Sequence, residues 1–267
     1  MTAAPTHQTL SYHTPSHRWV ALARSEFTKL RTLRSLWILA LVTVLGTWLM
    51  TWPNSAQGVG LEPDDPRLFS TEPIPLDYLG FEMVGFGYLL VVAAAALWAG
   101  SEYGDGRPVR TTLLATPARL RVFWMKALLL TSTVGALAFL TMWGTIVITH
   151  VVGQTEIDPW ALTPGIWAHL VGVSLAWICT ALITFSIGVI ARSAVWPLML
   201  VTPLVIGVSD FLAGIWEGAK YLPVAAGSAL YSPPGTYLAA LPAAVVLVSW
   251  AAALLAVAAR LFVRRDL

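Results

Sequence analysis

The sequence predicts an all-α membrane protein with six transmembrane helices, and three observations carry that prediction. Of its 267 residues, 57% are apolar and only 11% charged, whereas soluble domains average about 45–50% and about 25%. Six stretches reach the roughly 20 apolar residues that a ~30 Å hydrocarbon core requires. The few charges also sort by sign between alternate connections. A soluble globular chain is excluded, because so little charge cannot solvate a surface of that size.

Taken in order, residues 1–16 are rich in Thr, His, Ser and Pro without an apolar period, which predicts a disordered cytoplasmic tail. Residues 17–267 form a single six-span domain. Between Trp19 and Leu33, Leu22, Ala23, Phe27, Leu30 and Leu33 share one helical face while Arg18, Arg24, Lys29 and Arg31 share the other. That pattern predicts a helix lying in the membrane interface, with basic side chains reaching anionic headgroups. Glu26 falls within the apolar face, and two readings stand for it: an exposed acid paired with a nearby arginine, or a buried group with a role.

The spans are predicted at about 35–52, 79–100, 123–149, 166–190, 195–216 and 239–262. Some 34 polar and basic residues precede the first, far more than a signal-peptide n-region carries, so it reads as a retained span. Cytoplasmic connections keep Lys and Arg. The flanks on one side hold 14 of the 16 basic residues, and those on the other hold 10 of the 14 acidic ones. Both termini are therefore expected in the cytoplasm, as an even number of spans requires. The net charge of +2 points to no nucleic-acid partner. Cys179, the single cysteine, sits in an apolar run and reads as a small buried hydrophobe.

Two connections are irregular. Residues 101–121 make the longest basic-side loop, with a short helix predicted near Thr111–Ala115. Thr116-Pro117 then supplies an N-cap and an N1 proline for the third span. This loop is either a solvated positive-inside connection or a docking surface. On the acidic side, Asp210 lies 14 residues past Trp196, roughly 21 Å at 1.5 Å per residue. Gly214, Gly218, Pro223, Gly227, Pro233, Pro234 and Gly235 then punctuate an apolar stretch. This predicts a broken, partly embedded segment, tolerated where protein or a water-filled cavity surrounds it. Asp210 either lines such a cavity or ends its helix.

Enzymatic motifs are missing. The three lysines, Lys29, Lys126 and Lys220, stand in no phosphate-loop context, and neither HExxH nor GxSxG occurs. His150, Glu156, Asp158 and His169 cluster near the acidic-side ends of spans three and four. They could ligate zinc or copper, but no spacing fixes two of them on one helix face.

The run Arg24-Ser25-Glu26-Phe27-Thr28-Lys29-Leu30-Arg31-Thr32-Leu33-Arg34-Ser35 resembles the amphipathic lead-in of permease subunits of type-2 ATP-binding-cassette exporters, especially actinobacterial ones. Glu102-Tyr103, Arg110-Thr111-Thr112-Leu113, Pro117, Arg119 and Lys126 are similar to that family's first cytoplasmic loop, and Phe262-Val263-Arg264-Arg265-Asp266 to its usual chain end. The segment Gly104–Val109 departs from the pattern by one added residue and a proline. The resemblance implies a permease in a bacterial cytoplasmic membrane, paired with a second copy and with separate P-loop ATPase chains that hold the ATP and magnesium. The permease itself would have no cofactor and no catalytic site. It further implies a coupling surface at Glu102, Tyr103, Arg110, Thr111, Thr112, Leu113, Pro117 and Arg119, with a smaller contact at Arg192. The lead-in helix (Trp19, Glu26, Phe27, Lys29 and Arg31) and an outer gate (Asp210, Trp216, Tyr221 and Pro223) complete it. A cavity lined by Trp, Phe and Leu suits an amphipathic or lipid-like cargo. Two further readings stay open, a membrane accessory subunit without transport and a metal-binding membrane protein.

Overall fold

The computed structural model describes residues 15–57, 75–103, 119–233 and 238–264, and among them every regular element is helical. Helix α1 (Pro15–Thr32) ends one residue before α2 (Arg34–Gln57), the break falling at Leu33. A single 3-10 turn (Leu76–Tyr78) leads to α3 (Val84–Ser101), which is followed by α4 (Arg119–Val152) and α5 (Pro164–Ala191). The fifth span is composite: α6 (Val195–Pro203), a π-turn (Leu204–Val208) and α7 (Ser209–Ile215). A 3-10 turn (Glu217–Tyr221), the short α8 (Pro223–Ser228) and the long α9 (Ala240–Arg264) complete the chain.

Six of these helical stretches are long and apolar enough to cross a membrane, which agrees with a multi-pass membrane protein. The hub is α5, packed against α3, α4 and α9 and two-thirds buried over its apolar window. Its start follows from local chemistry. Thr163 Oγ1 accepts the Ile166 N–H at 3.2 Å, and Pro164 occupies the first turn, where its missing N–H has no partner to lose. Helix α4, with 34 residues, is about 51 Å long, well beyond a ~30 Å core.

On α2, Thr43, Thr47, Thr51 and Ser55 recur every fourth residue and are all buried. Each hydroxyl donates to the carbonyl four residues back, at 2.5–2.9 Å, so a polar side chain is satisfied without water. Ser55 Oγ also stands 3.2 Å from Thr149 Oγ1 of α4, and Trp48 Nε1 donates to the Thr141 carbonyl at 2.9 Å. In α9, Ala243, Leu247, Ala251, Leu255 and Phe262 form the buried stripe, while Leu241, Val245 and Val248 point outward.

The second span starts at Val84 rather than 79. Gly80 adopts φ +94°, and a Cβ there would lie 3.0 Å from the Ile146 Cα, so the chain turns against α4 before α3 can begin. The break in the fifth span sits at Gly207, with φ +133°, four residues after Pro203. It precedes Asp210, and the interruption expected after Asp210 follows at Trp216, where α7 gives way to an extended residue, a 3-10 turn and the short α8. Close approach also fixes α8: a Cβ on Gly172 would meet the Leu230 carbonyl oxygen at 2.5 Å, so the segment after α8 lies directly on α5.

Of residues 1–16, assigned from the sequence as a disordered tail, 1–14 lie outside the described residues and Pro15 and Ser16 open α1 instead; the short helix expected near 111–115 also lies outside them. The expected lead-in helix matches α1. Leu22 is buried and Leu30 partly so, but Phe27 is 51% exposed, so the packed face is narrower than the sequence suggests.

Candidate functional site

Two chemically distinct sites occupy opposite ends of α3. The first lies at the basic end, where α1, the end of α3 and the start of α4 meet. Lys126, seven residues into α4, is 3% exposed, a costly place for an ammonium unless it is paired. It is paired twice. Its Nζ donates to Glu26 Oε2 of α1 and, at 2.6 Å, to Glu102 Oε1 just after α3. Lys29 Nζ donates to Glu26 Oε1 at 2.7 Å and stands 3.7 Å from Glu102 Oε1. The Trp98 ring centroid is 5.4 Å from Lys126 Nζ, within range of a cation–π contact.

Two carboxylates and two ammonium groups thus form a buried cluster with no net charge. Glu26 is completely buried, so its place within the apolar face reflects a partner that arrives from α4. One carboxylate oxygen of Glu102, Oε2, is buried without a hydrogen-bond partner among the described residues. Arg119 Nη1, at the start of α4, donates to the Val263 carbonyl of α9 at 3.2 Å. Tyr103 packs against the core.

Of the sequence-selected coupling residues, the structure brings Glu102 into this cluster; Tyr103 follows it in the chain and packs against the core, while Arg119 contacts the end of α9. Arg192 caps α5 in the left-handed conformation at φ 53°, and the turn that follows it packs on α3, where a Cβ on Gly100 would lie 2.5 Å from that of Ala194. Arg110, Thr111, Thr112, Leu113 and Pro117 lie outside the described residues. On α1, Lys29 joins the cluster, Arg31 is exposed, and the Trp19 side chain is outside the described part. Lys126 entered the sequence reading only as a motif match. Its signal was a lone lysine two turns inside an apolar helix.

The second site, at the acidic end, is a cavity of about 310 Å³ between the start of α3, the broken fifth span and α8. Its lining includes Tyr78, Glu82, Tyr88, Asp210, Ser228 and Tyr231. The Glu82 carboxyl accepts the Gly80 N–H at 3.1 and 3.2 Å. Desolvation raises it above the ordinary carboxylate range, against the lowering effect of the backbone N–H groups of Glu82 and Gly80. The Tyr88 hydroxyl is held at 2.5 Å from Thr180 Oγ1. Burial pushes the Tyr231 hydroxyl up to about 12, opposed by its hydrogen bond with Ser228 and reinforced by the negative charge of Asp210.

Of the four gate residues, only Asp210 lines this cavity. Pro223 is buried at the start of α8, whereas Trp216 and Tyr221 are 62% and 55% exposed. The Tyr221 carbonyl accepts Trp250 Nε1 at 2.9 Å, which ties the segment to α9.

The histidines turn to Thr155 and Asp77 and form no group with Glu156 and Asp158. His150 Nδ1 hydrogen-bonds with Thr155 at 2.5 Å, while His169 Nδ1 lies 3.0 Å from the Asp77 carbonyl and its ring 4.2 Å from that of Tyr78. Among the described residues no three His, Cys, Asp or Glu side chains gather as a metal site. No family model, no curated protein and no solved structure matches the chain.

Proposed function

We propose that the chain is the transmembrane subunit of an ATP-binding-cassette exporter, moving an amphipathic or lipid-like substrate across a bacterial cytoplasmic membrane. ATP hydrolysis, with its magnesium, takes place on a separate P-loop ATPase chain, and a second permease copy completes the path. Both termini and the basic end then face the cytoplasm, in line with the retention of Lys and Arg there.

The observation that carries this reading is the buried charge cluster at the root of the 102–121 connection. An ATPase that closes on that connection must push on something rigid. Glu102 is clamped to Lys126 of α4 and, through it, to Glu26 of α1. Force applied at residues 104–118 is therefore delivered to three elements together. The cavity at the far end of α3 also favours transport over an accessory role, which needs no such space.

The test is co-expression with the ATPase encoded by a neighbouring gene. The ATPase is expected to co-elute with the chain, and reconstituted vesicles to show ATP-dependent export. Arg110→Glu should abolish stimulation of ATP hydrolysis and leave the permease folded. A chain that elutes alone, or unchanged stimulation in the variant, counts against the proposal.

A further inference from the structure

We infer that the cavity at the acidic end of α3 binds a neutral polyhydroxylated ring, the chemistry of a glycosyl group. At about 310 Å³ it reaches the lower range of small-molecule pockets, with room for one compact group. Five hydroxyl-bearing residues line it: Tyr78, Tyr88, Ser228, Tyr231 and Ser232. A hydroxyl both donates and accepts, so such a lining is best matched by a ligand that does both at several positions. Glu82 adds a carboxyl group that accepts the Gly80 N–H and its own. A carboxylate offers about four acceptor sites, which leaves Glu82 with capacity for the O–H groups of a ligand. Asp210 also lines the cavity but has an interaction of its own, so recognition of the ring falls to Glu82 and the hydroxyls.

The aromatic rings supply the other half of the match. Tyr78 and Phe81 are backed by the His169 ring, with centroids 4.2 and 5.9 Å away, and Tyr88 by Trp177 at 6.2 Å. Walls braced from behind need little ordering when a ligand arrives. Val205, from the π-turn broken at Gly207, closes another side. A pyranose answers both halves, its C–H faces lying on the rings and its hydroxyl edge meeting the polar groups. Other ligands answer one half only. A purely apolar one would strip water from Glu82 and the hydroxyls without replacing their hydrogen bonds. An anion would meet the Glu82 carboxyl, and among the described residues no Lys, Arg or His lines the cavity. A quaternary ammonium has neither donor nor acceptor to offer the hydroxyls.

Calling the ring the head of an exported amphipathic cargo rests on the exporter proposal, but binding itself does not, and the test separates them. The full chain in phosphatidylcholine nanodiscs is titrated by calorimetry with the phenyl glycosides of glucose, galactose and mannose. The controls are 2-phenoxytetrahydropyran, the same skeleton without its hydroxyls, benzyltrimethylammonium, and empty nanodiscs. Saturable binding of at least one glycoside is expected, about tenfold or more tighter than either control. It should be unchanged between about 0.1 and 1 M salt, since a neutral ligand feels no screening. Ser228 Oγ and the Tyr231 hydroxyl face each other at 3.4 Å, so Ser228→Ala with Tyr231→Phe removes both partners together and keeps the ring. That double variant should bind the glycoside about tenfold more weakly. No saturable glycoside binding overturns the inference, as does equal binding of the bare skeleton or the ammonium, or wild-type affinity in a normally helical double variant. Should the variant fail to fold, the ligand comparison on the unaltered chain decides it alone. Nanodiscs carrying a monoglycosyl diacylglycerol then tell the source, and either result upholds the site: weakened glycoside binding means that the ring arrives on a lipid, unchanged binding that it arrives from solution. Glycoside binding without ATP-driven transport upholds the site and counts against the exporter; ATP-driven transport of a sugar-free lipid with no glycoside binding does the reverse.

Discussion

Lys126 is the residue on which the basic end depends. Removing it leaves Glu26 and Glu102 close together in a buried place, with the partly exposed Lys29 as their remaining cation among the described residues. Breaking a buried ion pair from one side costs about 3–5 kcal/mol, while replacing all partners by neutral groups of similar shape is often harmless. Lys126→Met should therefore sharply lower stability in detergent, and the triple change Glu26→Gln, Lys126→Met, Glu102→Gln should recover most of it. Thermal unfolding followed by circular dichroism would show both. A single variant as stable as the wild type would mean that the cluster is not the clamp proposed. The sequence made Glu26 conspicuous, since its helical angle sets it among leucines. Its partner lies 100 residues further on, and no local pattern connects two positions so far apart.

The helices themselves were largely legible, because hydropathy reports the cost of placing each backbone stretch in lipid. Five of the six predicted starts fall within four residues of the observed ones. The second does not, since Leu79 and Phe81 are apolar enough to extend the window while Gly80 turns the backbone. Hydropathy counts side chains and does not register φ. The hydroxyl ladder on α2 went unread in the sequence, because hydropathy ranks Thr as nearly neutral and hides its four-residue period. In the fifth span, glycine and proline punctuation pointed to the interruption beyond Asp210, which the end of α7 at Ile215 matches, but not to the earlier break at Gly207. Gly207→Ala tests the observed position: a side chain at φ +133° costs about 1–3 kcal/mol. The expected result is a lower thermal midpoint together with a disturbed cavity, read as weaker glycoside binding than wild type. No change in either would show that the break does not depend on glycine.

At the scale of the whole molecule, burial is uneven. The windows of α2, of the composite fifth span and of α9 are only 22%, 17% and 22% buried, so broad apolar faces of these helices are left uncovered by the described residues, open to lipid and, under the proposed function, to a second copy. Orientation can be read directly, because Cys179 is the single cysteine and is buried. On a Cys179→Ser background, Glu156→Cys at the acidic end should react with a membrane-impermeant maleimide in intact cells. Ala191→Cys at the basic end should react only after permeabilisation. The reverse pattern would invert the proposed topology and, with it, the assignment of the cavity to the outer face.

The charge cluster also sets a schedule for assembly. Glu26 is synthesised before the first span, and Lys126 emerges 100 residues later, about 5–20 s at ordinary translation rates. Throughout that interval Glu26 has, of its two ammonium partners, only Lys29 of its own helix, and its other carboxylate oxygen lacks the Lys126 ammonium, so α1 is expected to stay at the membrane surface until α4 inserts. The amphipathic character of α1 serves that wait, and the arrival of α4 ends it.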